Sequence, residues 1–118
     1  MALSRRSLVG LTIGTAAALG GCSTTAALAQ GTVVIDVRTP AEFASGHLDG
    51  ATNIDVSAST FSSRIRTLDR NTPYFVYCRS GNRAAQAITA MKALGFTNLA
   101  NGMGIEAAAR TSGLKIVR

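Results

Sequence analysis

The sequence predicts an α/β domain in which a central, mostly parallel sheet carries helices on both faces. Short runs of β-branched and aromatic residues alternate along the chain with segments whose apolar residues recur every three or four positions. Alternating strand and helix signals of this kind are typical of parallel strands covered by helices. In such folds the ligand binds at the carboxyl ends of the strands, so the residues after each strand are of most interest.

The first predicted strand runs from Thr32 to Val37 and leads into a short helix. Thr39 is a good N-cap residue, Pro40 suits the first helical position, and Glu42 stands where a capping box needs its acidic partner. Gly46 is the expected end of this helix.

A second strand–helix unit, with a shorter strand, follows. The strand is predicted at about Ala51 to Ile54, and either Ser57 or Ser59 is expected to cap the next helix. That helix carries its apolar face at Phe61, Ile65 and Leu68.

The third unit contains the most informative stretch of the chain. Pro73 precedes the apolar run Tyr74–Tyr77, which is predicted to be a buried strand. The helix that follows has apolar residues at three- and four-residue spacing and a glycine stop: Ala84, Ala87, Ile88, Met91, Leu94 and then Gly95. A last strand is predicted from Phe96 to Ala100.

Cys78 lies between the third strand and its helix, in the loop Cys78-Arg79-Ser80-Gly81-Asn82-Arg83. The unpaired backbone N–H groups and the positive dipole end at a helix N-terminus favour an anion, and a thiolate is such an anion. Arg79 and Arg83 add positive charge, and Gly81 allows the loop to curl with its amides inward. The pattern therefore indicates a nucleophilic cysteine rather than a buried structural one.

This loop resembles the active-site loop of rhodanese-type sulfurtransferases, where a cysteine opens a six-residue loop between a strand and a helix. Upstream motifs follow the same family's opening pattern in order: Val33–Pro40, Glu42-Phe43, Gly46–Leu48 and Gly50–Ile54. The resemblance covers about residues 32–104 and implies a rhodanese-like fold.

The resemblance implies a sulfurtransferase in which Cys78 is the nucleophile and carries the sulfur as a persulfide. Its substrate-binding residues would be those that complete the loop: Arg79, Ser80, Gly81, Asn82 and Arg83. The expected partners are a small anionic sulfur donor such as thiosulfate and a thiophilic acceptor such as cyanide or a thiol, and no cofactor is required. An alternative is a persulfide carrier or sensing module that acts with a protein partner.

The loop length separates this chemistry from that of thiol-based phosphatases and arsenate reductases. In the phosphatases five residues separate the cysteine from the arginine, whereas four separate Cys78 from Arg83. The smaller ring resembles the rhodanese cradle around one sulfur atom, so oxyanion chemistry on a tetrahedral phosphate or arsenate is disfavoured.

The chain departs from the usual rhodanese pattern in two places. No strand and helix signals precede Thr32, and the segment Asn101–Ala108 has no tryptophan. Both features are similar to the short exported rhodaneses of the phage-shock-protein-E type, which implies a location outside the cytoplasm. A less covered sheet edge also leaves self-association open, and the oligomeric state is not predicted.

The first thirty residues have the features of an export signal. Arg5 and Arg6 precede an apolar run from Leu8 to Leu19, which is too short for a permanent membrane span. Leu19–Cys22 resembles a lipobox, in which Cys22 is lipidated and becomes the new N-terminus. Cleavage after Ala29, at a site of small residues, is the competing interpretation.

The predicted organisation is therefore a signal peptide with lipobox at 1–22, a short tether at 23–31 and the rhodanese-like domain at 32–118. We expect a periplasmic or cell-envelope protein that contacts the membrane through its lipid. Export through the general or the twin-arginine route is left open.

Charge and cysteine content agree with this interpretation. The chain of 118 residues has twelve basic and six acidic residues, and without Arg5 and Arg6 its net charge is +4. A moderate positive charge without a basic aromatic stripe indicates steering of small anions and not nucleic-acid binding. After processing, Cys78 is the single thiol, so no internal disulfide forms.

Three other polar residues are predicted to have structural roles. Asp36 is expected to cap neighbouring amides and to pair with Arg38, although Arg38 can also line the mouth of the pocket. For His47, the only histidine, the resemblance to the family implies a structural role in which it does not face the cysteine. No group of residues has the spacing of metal ligands, so no metal site is predicted.

Overall fold

In the computed structural model, residues 28–118 are described. Their elements, in chain order, are β1 (Val33–Asp36), α1 (Pro40–Ser45), β2 (His47–Leu48), β3 (Thr52–Asn53), α2 (Phe61–Arg66), β4 (Tyr74–Cys78), α3 (Asn82–Ala93), β5 (Leu99–Gly104), α4 (Ile105–Ser112) and β6 (Ile116–Val117). The predicted signal segment 1–22 with Cys22, and residues 23–27 of the predicted tether, lie outside the described residues.

The main sheet has four parallel strands in the order β3-β1-β4-β5. β4 lies in the interior of this sheet, and all five of its residues are buried. A separate antiparallel pair joins β2 to β6 through His47 and Leu48. The predicted central, mostly parallel sheet is confirmed.

Alternate residues of β4 point into two different cores, as the period of a strand requires. On one face Tyr74, Val76 and Cys78 pack with residues of α2 and α3, among them Phe61, Ile65, Ala84, Ala87 and Met91. On the other face Phe75 and Tyr77 pack with Val34, Leu48 and Ala108, the last of which belongs to α4. The prediction of helices on both faces is therefore confirmed.

The cap predicted for the first helix forms, whereas the cap predicted for the second does not. Thr39 Oγ1 accepts from the Glu42 amide at 3.2 Å, and Glu42 Oε1 accepts from the Thr39 amide at 3.0 Å. The second helix instead begins at Phe61 after Thr60, without a side-chain cap. Ser57 is held by Asp55, whose Oδ1 accepts from its amide and hydroxyl, so it is not placed to cap α2.

The C-terminal part differs most from the prediction. The last parallel strand covers Leu99–Gly104 and not Phe96–Ala100, because Phe96 turns into the core beside Met91. The strand sequence Leu-Ala-Asn-Gly-Met-Gly has little intrinsic strand preference, and pairing with β4 overrides it. The helix α4 that follows was not predicted.

Within residues 28–118, no helix is long and apolar enough to cross a bilayer.

Candidate active site

Cys78 ends the central strand and lies beneath the N-terminus of α3. Its exposed fraction is 0%. The Gly81 amide donates to Cys78 Sγ at 2.9 Å, and the Ala84 amide approaches the same sulfur at 3.4 Å. Two backbone N–H groups thus converge on the sulfur at the positive end of a twelve-residue helix, a setting that favours negative charge on sulfur.

The loop residues divide into an outer and an inner group. Arg79, Ser80 and Asn82 are exposed, with Asn82 forming the first residue of α3, whereas Gly81 is buried and Arg83 is half-buried. Gly81 has a φ of +104°, a conformation that glycine adopts without a Cβ penalty. The positive φ allows the chain to turn from the loop into α3 directly after the Gly81 amide that contacts Cys78, so this position favours glycine.

Glu42 connects the first helix to the cysteine loop. Arg83 Nη1 donates to Oε1 at 2.8 Å and Arg83 Nη2 donates to Oε2 at 3.1 Å, so the pair is bidentate. Arg79 Nη1 lies 3.7 Å from Oε2 of the same carboxylate. The hydrogen bond from Arg83, followed by that from the Thr39 amide, lowers the pKa of Glu42 to about 2.

The two loop arginines consequently have different environments. Arg83 is hydrogen-bonded to Glu42, and this bond raises the pKa of the Arg83 guanidinium. Arg79 has a side chain that is 77% exposed, and within residues 28–118 its ion contact is the longer one with Glu42. Arg79 is therefore the loop cation that is open to a dissolved anion, while Arg83 fixes the loop to α1.

A second ion pair lies below the site, at the carboxyl end of β1. Arg38 Nε and Nη2 donate to Asp36 Oδ1 and Oδ2 at 2.9 and 2.6 Å, and Arg38 Nη2 also donates to the Gly46 carbonyl at 2.6 Å. The Asp36 carboxylate also accepts from the Arg38 amide at 2.9 Å. Asp36 thus caps an amide and pairs with Arg38, as predicted, and the bond to Asp36 raises the pKa of Arg38.

His47 packs against α1 and does not contact the cysteine loop. Its Nδ1 lies 2.8 Å from the Phe43 carbonyl, and its ring stacks on the Phe43 ring with centroids 3.7 Å apart. These contacts give His47 the structural role that was predicted for it.

A pocket of about 620 Å³ opens above the loop. It is bordered by residues from the β1 end, α1, the cysteine loop and the β5–α4 junction: Arg38, Glu42, Ser45, Arg79, Ser80, Met103, Gly104, Ile105, Glu106 and Ala107. Arg38 therefore reaches the pocket mouth as well as pairing with Asp36. Among residues 28–118, no group of three or more His, Cys, Asp or Glu side chains is placed to hold a metal ion.

Met103 is a site residue that the sequence analysis missed. Among the described residues it is the one non-glycine residue with positive φ, at +70°. A bulge in the pairing of β4 with β5 places it opposite Tyr77, and its amide donates to Asn101 Oδ1 at 2.8 Å. Because strained conformations and bulges are concentrated at functional sites, Met103 belongs with the candidate site.

Glu42 was also not predicted as a site residue, because the sequence around it indicated only a role in the capping box of the first helix. Its partner Arg83 is 41 residues away, so no local pattern reports the pair. For Met103, the signal available in the sequence was its position between Gly102 and Gly104, two residues that tolerate close backbone approach. A Cβ at Gly104 would clash with the Arg79 carbonyl.

Comparison with known proteins gives the same family at the level of sequence and fold. Residues 24–104 match the rhodanese-like domain. The thiosulfate sulfurtransferase GlpE of Pseudomonas entomophila is 37% identical over 71 residues, which are 60% of this chain and 63% of that protein. The thiosulfate sulfurtransferase PspE of Escherichia coli is 34% identical over 74 residues, 61% of this chain and 69% of that protein.

Solved structures of rhodaneses have a fold similar to that of this chain. A rhodanese with anions from E. coli superimposes with a TM-score of 0.60 at 26% identity, covering 74% of this chain and 98% of that one. A rhodanese-like domain protein from Staphylococcus aureus gives 0.61 at 27% identity, covering 76% and 85%. The match with GlpE spans somewhat less than two thirds of the length of that protein. The residues that match the family, 24–104, include the cysteine loop and both ion pairs described above. The chain belongs to the rhodanese-like domain family.

Proposed function

We propose that this protein is a sulfurtransferase that moves a sulfane sulfur from thiosulfate or a similar donor to a thiophilic acceptor through a persulfide on Cys78. The observation that carries the proposal is the convergence of the Gly81 and Ala84 amides on Cys78 Sγ at the end of the central strand. Relatives that bear the name thiosulfate sulfurtransferase support the same reaction.

In the first half-reaction the Cys78 thiolate attacks the outer sulfur of thiosulfate. A new S–S bond forms on Cys78, the S–S bond of thiosulfate breaks, and sulfite leaves with the electron pair of that bond. In the second half-reaction cyanide or a thiolate attacks the outer sulfur of the persulfide. The persulfide bond breaks, its electron pair returns to Cys78, and thiocyanate or an organic persulfide is released.

Each loop residue has a separate role in this reaction scheme. The backbone amides from Arg79 to Arg83 surround the added sulfur and stabilise its negative charge, as oxyanion-hole donors do for oxygen. Arg79 attracts the sulfonate end of the donor, and Arg83 holds the loop in place through Glu42. Ser80 borders the pocket, Asn82 begins α3, and the scheme requires no cofactor.

The test is thiocyanate formation from thiosulfate and cyanide by the purified full chain. We expect saturable turnover by the wild type and none above the uncatalysed rate for Cys78→Ser. Cys22→Ser removes the other cysteine and is expected to keep full turnover. Turnover by Cys78→Ser would contradict the proposal, and persulfide formation without thiocyanate release would indicate a sulfur carrier in place of an enzyme.

We further propose that the protein is exported to the periplasm or cell envelope and lipid-anchored at Cys22. The motif at 19–22 supports the anchor, and the packing of Leu28 against the core that contains Val34 and Leu48 supports it indirectly. Cleavage after Ala29 would remove that contact. Mass measurement of the mature N-terminus tests the proposal: an acylated Cys22 is expected, and a protein that begins at Gln30 would contradict it.

A further inference from the structure

Met103 lies between the cysteine loop and the pocket above it. Its exposed fraction is 50%, and it borders the pocket beside Arg79 and Ser80. A Cβ added at Gly81 would lie 3.1 Å from Met103 Cε and 3.3 Å from its Sδ, so the thioether end of the side chain sits over Gly81. Gly81 is the residue whose amide contacts the Cys78 sulfur.

The backbone of β5 holds Met103 in this position. The extra residue of the bulge is Gly102, which is buried so close to Phe75 that a Cβ there would lie 2.7 Å from that ring. The Met103 amide is bound to the Asn101 side chain, and Asn101 Nδ2 in turn donates to the Gly81 carbonyl at 3.3 Å. The bulge therefore couples the position of Met103 directly to the cysteine loop.

The size and charge of the pocket favour an organic acceptor. Its volume of about 620 Å³ exceeds what cyanide or thiosulfate needs and falls in the range of about 300–1,000 Å³ typical of sites for organic ligands. Arg38 and Arg79 border it together with Glu42 and Glu106, so its charges are balanced. Met103, Ile105 and Ala107 provide apolar surface on the β5–α4 side.

We propose that Met103 is a specificity-determining residue that forms the apolar wall of the acceptor site and selects uncharged thiols with an apolar or aromatic group beside the sulfur. The inference rests on the proposed sulfurtransferase function. The thioether is flexible and polarisable and makes favourable contacts with aromatic rings. An acceptor thiolate that packs against Met103 attacks the outer persulfide sulfur. The S–S bond to Cys78 breaks, its electron pair returns to Cys78, and the acceptor leaves as an organic persulfide.

The experiment uses the full chain loaded with thiosulfate, freed of excess donor and mixed with benzyl mercaptan or 2-mercaptoethanol. Loss of the Cys78 persulfide, followed by intact mass, gives a second-order rate constant for each thiol, which is divided by the rate constant of the same thiol with a small-molecule persulfide. Burial of about 50 Å² of apolar surface against Met103 corresponds to a preference of about tenfold for benzyl mercaptan. The wild type should show this ratio.

The variants separate the contact from the fold. Met103→Leu keeps an apolar side chain at the same position and is expected to retain the preference. Met103→Gln has a similar length with a polar end, and Met103→Gly removes the wall and the backbone strain, so both should bring the ratio to about one. Equal rates for the two thiols in the wild type, or an unchanged ratio in Met103→Gln and Met103→Gly, would overturn this inference alone. A wild type that does not load sulfur would overturn it together with the proposed function.

Discussion

The two arginine–carboxylate pairs near the cysteine have the same chemistry and opposite environments. Asp36 and Arg38 are two residues apart in sequence and both buried. Glu42 and Arg83 join two elements 41 residues apart, with side chains that are 23% and 28% exposed. The buried pair also binds the Gly46 carbonyl and the Arg38 amide. One residue of each pair, Arg38 and Glu42, borders the pocket.

The difference indicates two separate roles. A buried pair cannot exchange its partner for a solute, so Asp36 and Arg38 fix the end of β1 and the turn after α1. The outer carboxylate contacts both loop arginines, and it holds the loop without removing Arg79 from solvent. Stability should therefore depend on the inner pair, and handling of the anionic donor on the outer one.

The largest effect is expected on stability when the inner pair is broken. Asp36→Asn leaves the Arg38 guanidinium buried without its counter-charge, which should lower the free energy of unfolding by roughly 3–5 kcal/mol. Urea denaturation of the wild type and variant measures this. The double variant Asp36→Leu with Arg38→Met removes both charges and should be more stable than Asp36→Asn. A loss below about 1 kcal/mol for Asp36→Asn would show that the inner pair does not fix this end of β1.

Breaking the outer pair is expected to have a smaller, pH-dependent effect. Glu42→Gln should cost about 1 kcal/mol at pH 7, because the pair is partly exposed to solvent. The pKa of Glu42 is lowered from 4.5 to about 2 in the folded protein, so its contribution is fully present above pH 4.5 and is lost as the pH falls toward 2.

Urea denaturation of the wild type and Glu42→Gln at several pH values between 7 and 2.5 tests this. The difference in stability between the two proteins should shrink across the lower part of that range. Asp49→Asn, which removes a carboxylate at an exposed position, is the matched control at each pH. A constant difference between wild type and Glu42→Gln would contradict the assigned pairing.

The smallest effect is expected for the exposed loop arginine. Arg79→Ala should raise the KM for thiosulfate about threefold to fivefold, since one exposed cation attracts an anion only modestly. The same change at Arg64, exposed on α2, should leave the KM unaltered. The KM values of Arg79→Ala and the wild type should become more similar in high salt. A ratio of KM values that is independent of salt would exclude an electrostatic role for Arg79.

Local sequence predicted those parts of the site that are built from neighbouring residues. The capping box at Thr39 and Glu42, the position of Cys78 between strand and helix, and the Asp36–Arg38 pair each depend on residues within a few positions of one another. The Glu42–Arg83 pair and the position of Met103 over Gly81 arise only when elements that are distant in sequence pack together. The position of β5 was misassigned for the same reason, because its pairing with β4 outweighs its own weak strand preference.

Sulfur transfer through Cys78 requires that this residue carry the added sulfur, which the intact mass after exposure to thiosulfate shows. The wild type and Cys22→Ser should each gain about 32 Da, the mass of one sulfur atom, and lose it on addition of cyanide. Cys78→Ser should gain nothing. A wild type without added mass, or a Cys78→Ser protein with the same gain, would contradict sulfur transfer through a Cys78 persulfide.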